Sequence, residues 1–148
     1  MIQAEIAELI DRELTKIGEE LGLYADEKLL WHSVKGISNP GGNLALHVAG
    51  NLQHFIGAVL GNSGYIRQRE LEFSRKDMPL NEVKEELEKA RMAVRQTLAS
   101  ISTDELQKNF PINVFGKEMT TEWFLLHLLS HASYHLGQIN YHRRAIVV

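Results

Sequence analysis

The chain has 148 residues, 44% of them hydrophobic and 24% charged, with a formal net charge of -3. That length suits one domain, residues 1–148, around one core. The weakly acidic balance gives no broad basic footprint for nucleic acid. There is no cysteine, which excludes disulfides, thiolate metal sites and a cysteine nucleophile. The acidic start, Met1-Ile2-Gln3-Ala4-Glu5, and the lack of a long uncharged apolar run argue against a signal peptide or membrane span. The expectation is a cytoplasmic protein with no membrane partner.

The first segment sets Ile2, Ile6, Leu9, Ile10, Ile17 and Leu21 on one helical face, with Gly22 as a stop. Asp26 to Trp31 adds a short helical turn, and Ser38-Asn39-Pro40-Gly41-Gly42 reads as a break. A second helix is expected from about Asn43 to Leu60, with Leu44, His47, Val48, Leu52, Phe55, Ile56 and Val59 as its stripe. Tyr65 to Met78 is polar and aperiodic and reads as a loop with some helix. The third helix has the cleanest pattern, Leu80, Val83, Leu87, Ala90, Val94, Leu98 and Ile101, with steps of three and four. Phe110 to Glu118 reads as an extended excursion or hairpin. A last helix starts near Thr120 or Thr121 and aligns Phe124, Leu128, His131, Ala132, His135, Ile139 and His142. Four long amphipathic helices define an all-α, four-helix bundle.

Of seven histidines, His127, His131 and His135 stand four apart on the last helix. Side chains at that spacing lie one above the other, about 6 Å apart along the axis, so one ion can use one adjacent pair. The pair is His127 with His131 or His131 with His135. A third ligand must come from another helix, where His47 faces inward and His54 lies two turns further on. Three neutral imidazoles with open positions form a common catalytic metal arrangement. The competing reading is that each histidine is a hydrogen-bonded core residue.

Two motifs carry a resemblance. His131-Ala-Ser-Tyr-His135-Leu-Gly-Gln138 has two histidines four apart before a Gly-Gln pair, and Asn43-Leu-Ala-Leu-His47-Val-Ala-Gly-Asn51 has one histidine after a glycine-rich turn. Over nearly the whole chain the sequence resembles the DinB-like superfamily of metal-binding four-helix bundles. Gly50-Asn51, Arg67-Gln-Arg69 and Glu72-Phe73 look most like an uncharacterised bacterial branch of it. The resemblance implies ligands at His47, His131 and His135, leaving His54 and His127 outside the ligand set. It also implies one divalent metal ion, zinc or nickel, an unusual helix order and a homodimer. Its better-known members use the metal to activate a low-molecular-weight thiol, so the resemblance points to a metal-dependent thiol S-transferase acting on small electrophiles. The alternatives are a non-catalytic, ligand-sensing or stress-related bundle and a metal-dependent hydrolase.

Lesser roles attach to other residues. Asn43 caps its helix or orients a ligand. Gln138 hydrogen-bonds a ligand histidine or ties helices together. Arg67 and Arg69 are solvated, or hold an anionic thiol. Trp31 and Trp123 are core or interface anchors. No inward-facing Asp or Glu is apparent to complete a metal shell.

Overall fold

The computed structural model describes residues 1–146. Helix α1 spans Ile2–Gly22, and Glu27–Trp31 forms a 3-10 turn capped by Asp26. Helix α2 spans Gly41–Leu52 and runs on as a π-helical stretch, Gln53–Leu60. Then come α3 (Arg69–Ser74), α4 (Leu80–Ser100), α5 (Thr103–Gln107) and α6 (Thr121–Ala145). No helix among the described residues is long and apolar enough to cross a membrane.

The four long helices close a bundle in which α1 packs on α4 and α6, and α2 packs on the same two. Helices α1 and α2 therefore stand diagonally opposite, although they are consecutive in sequence. The apolar stripes explain the closure. Ile6, Ile10, Leu14, Ile17 and Leu21 of α1 are buried, as are Val83, Leu87, Ala90, Val94 and Leu98 of α4. Spacings of three and four put each set on one face.

Helix α2 differs, because every residue from Gly41 to Leu52 is buried. Its covering is completed by α3 and by the turn at Glu27–Trp31. Gly41 and Gly42 form its first turn rather than a break: a Cβ on Gly41 would overlap the Tyr24 hydroxyl, and one on Gly42 would press on the Trp31 ring. Glycine is the residue that lets backbone approach so closely. The polar run 65–78 does contain a helix, α3, and 110–118 is an excursion whose ends pair through an Asn109–Thr120 antiparallel bridge.

His142 is a satisfied core histidine. Its Nδ1 accepts from the Gly41 amide at 3.1 Å and lies 2.7 Å from the Tyr24 hydroxyl, so its Nε2–H donates to the His32 carbonyl at 2.8 Å. Burial lowers its pKa, against an opposing pull from the His32 carbonyl. Trp31 is buried as expected of a core anchor. Trp123 is 44% exposed, which corrects the core half of its reading as a core or interface anchor: it lies on the first turn of α6, stacks on His127, meets Phe115 edge-on and carries Lys117 over its ring.

Candidate metal centre

Helix α2 supplies His47, and α6 supplies His131 and His135 one turn apart. The Nε2 atoms of His47 and His131 are 3.2 Å apart, and those of His131 and His135 are 3.0 Å apart. These are the separations of nitrogens each about 2.0–2.1 Å from a shared ion. Among the described residues, these three histidines form the group able to hold a metal ion.

The opposite ring atoms decide which nitrogen is free. His135 Nδ1 donates to Gln138 Oε1 at 2.7 Å. His47 Nδ1 donates to Glu72 Oε1 at 3.0 Å. A neutral imidazole that donates from Nδ1 carries a lone pair on Nε2. Two lone pairs therefore face His131 Nε2, and a single proton on that atom could serve only one of them. Burial, then the neighbouring His135 and His47, lowers the pKa of His131 to about 3. Burial also lowers that of His135. Three inward-turned imidazoles with converging nitrogens fit a divalent cation better than one shared proton.

The role of Glu72 is what the sequence reading missed. The residue sits on α3, is 6% exposed, and reaches His47 from the side away from the converging nitrogens. Arg67 grips the same carboxylate through Nε and Nη2, each at 2.9 Å. Burial alone would raise the Glu72 pKa, but the hydrogen bonds from His47 and Arg67 and the Arg67 charge outweigh it, so it is lowered. A carboxylate behind a ligating histidine fixes the ring and raises its basicity. Glu72 is thus an orienting partner of His47, and the three nitrogens keep an open side.

Asn43 neither caps α2, whose N-cap is Pro40, nor faces the histidines. Its amide donates to the carbonyls of Glu72 at 3.0 Å and Arg75 at 2.8 Å, and Lys76 donates to its Oδ1 at 2.8 Å. It ties the segment carrying Glu72 to α2. Arg67 is committed to Glu72. Arg69 is exposed, with its guanidinium over the Phe73 ring.

His127 stacks on Trp123 at 5.7 Å and meets Phe115 edge-on. It lines a cavity of about 230 Å³ beside His47 and His131. His54 packs edge-on against Phe55 and stays outside the cluster. It lies seven residues beyond His47, about 10 Å further along the axis, too far for a shared ion. Burial lowers both pKa values.

A model of the DinB superfamily matches residues 8–139. The chain belongs to the DinB superfamily. The comparison with curated proteins finds no match.

Proposed function

We propose that the protein binds one divalent metal ion, zinc or nickel, through His47, His131 and His135, and acts as a metal-dependent thiol S-transferase on small electrophiles. The observation that carries this reading is the convergence of three Nε2 atoms, with the Nδ1 atoms of His47 and His135 engaged by Glu72 and Gln138 on the far side of their rings. A bound cation would supply Lewis acidity, lowering the pKa of a thiol or water that joins it.

The chain's own groups do the rest. Glu72 and Gln138 hold two of the rings in one tautomer. Phe55, Phe124 and Leu128 form part of the apolar wall of the adjoining cavity. A purely structural site usually takes four protein ligands. The nearest carboxylate, Glu72, is turned to His47 Nδ1, which favours an open and reactive centre over a closed one.

The test is metal content of tag-free protein beside a His131→Ala, His135→Ala variant, followed by thiol consumption with monochlorobimane as electrophile. In that reaction the thiol loses its proton to solvent, the S–C bond forms and chloride leaves. About one ion per chain in the parent and none in the variant supports the metal reading; none in either sinks it. Metal without thiol consumption above the uncatalysed rate, across cysteine, N-acetylcysteine and other small thiols, sinks the transferase reading alone.

A further inference from the structure

The cavity beside the histidines contains a polar group that nothing in the fold uses. Asn51 stands one turn after His47 on α2, lines this cavity and is only 7% exposed. Its Oδ1 is buried with no hydrogen-bond partner among the described residues. Buried polar atoms are paired in the great majority of cases, so an orphan at a cavity wall calls for an explanation. Gln53, also buried on this helix, shows the contrast: its amide donates to the Ala49 carbonyl and to Glu86.

The rest of the wall joins the histidines to the apolar Phe55, Val114, Phe115, Phe124 and Leu128, and its two cations are engaged, Arg67 with Glu72 and Arg69 over the Phe73 ring. Phe55 and Phe124 meet edge-on at 5.1 Å, and Phe115 closes the space from the 110–118 excursion. A dry apolar cavity of about 150 Å³ accommodates benzene. The 230 Å³ here suits a ring with one short substituent. Within such a wall, an unpartnered amide selects a ligand that brings its own donor and acceptor, because leaving either group unpaired costs affinity.

We propose that this cavity is the subsite for the organic substrate, that it takes a small aromatic carboxamide, and that Asn51 is its hydrogen-bonding anchor. The proposal deepens the reading of the histidine cluster as a reaction centre, since a molecule seated here lies against His47 and His131. Ring contacts with Phe55, Phe115 and Phe124 supply the attraction. The Asn51 amide turns the substituent and so sets which atom meets the histidines.

Binding of benzamide is the test, followed by two-dimensional NMR on 15N-labelled protein, both after dialysis against chelator and after zinc loading. Toluene, which has the ring without the amide, is the matched probe. Benzamide at about millimolar concentration, a fragment's usual range, is expected to shift the Asn51 side-chain amide and the backbone amides of residues 114–115. Asn51→Leu should weaken benzamide about five- to tenfold, the worth of one net hydrogen bond, and leave toluene unchanged or tighter. Phe115→Ala, in an exposed excursion where folding is not at stake, should weaken both probes several-fold. An unmoved Asn51 amide, or equal benzamide affinity in parent and Asn51→Leu, overturns the proposal. So does binding confined to the separate surface groove that Ser63, Gly64 and Tyr65 form with Glu85, Glu88 and Met92 of α4. Because the chelated protein is measured too, loss of the metal reading would not disguise failure of this one.

Discussion

Gly50 and the Glu72 carboxylate exclude any side chain between them: a Cβ on residue 50 would overlap Glu72 Oε2. The absence of a side chain at position 50 therefore lets Glu72 reach His47. In a helix interior glycine costs about 1 kcal/mol relative to alanine, so Gly50→Ala should not weaken α2 itself. It should push Glu72 off His47 Nδ1. The expected outcome is a helical protein whose zinc or nickel affinity falls about 10- to 100-fold, the usual effect of losing such a partner. Competition against a chromophoric chelator measures it; unchanged affinity would remove Glu72 from any role in the centre.

Asn43→Ala leaves the Glu72 and Arg75 carbonyls without their donor. The expected cost is about 1–3 kcal/mol, concentrated in one segment. Hydrogen exchange should quicken across residues 69–79 and stay near parent rates in α1 and α4. Uniform acceleration along the chain would mean that Asn43 supports the whole bundle instead.

Ion binding to the folded chain alone must raise its stability. Zinc or nickel at about 1,000 times Kd adds about 4 kcal/mol, or about 10 °C in Tm for a chain of this size. A thermal scan of the chelated protein, with and without added metal, reads this directly. The His131→Ala, His135→Ala variant should show no shift, and an equal shift in it would locate the ion elsewhere.

His142 sets an acid limit that is independent of the metal. Its folded pKa is lowered from an ordinary value of about 6.5, so the unfolded chain binds more protons just below that pH. The stability tied to neutral His142 is complete above about pH 6.5 and is lost as the pH falls toward its folded pKa. Urea titrations of chelated protein should give midpoints that drop between pH 7 and 5. His142→Gln should be less stable at pH 7 and lose less over that interval. An identical slope in both would assign the acid sensitivity to other groups.

The helices α1, α4 and α6 were legible because their apolar residues recur with helical spacing on a half-wet surface. The last helix brought His131 and His135 onto that face, and His47 lay on the stripe of α2. Glu72 was hidden for two physical reasons. It lies in a six-residue helix, too short to show a period, and a buried carboxylate looks like a solvated one until its partners are known. The available signal was Gly50, a glycine deep in a buried helix with no turn to make. His54 shares the helix of His47, but two further turns put it outside the cluster, as the resemblance implied. The π-helical stretch from Gln53 has no apolar period of its own and read as plain continuation of α2.

His47 and His131 are 84 residues apart in the chain, yet their nitrogens meet because α2 and α6 are neighbours in the bundle. Anything that joined them would act as a reversible staple across that long loop, and closing a loop of such length in the unfolded chain is entropically costly. No fragment lacking either helix can assemble the cluster. Filling of the three-nitrogen site would thus follow docking of α6 rather than seed it, so an ion held there would report that the bundle is finished.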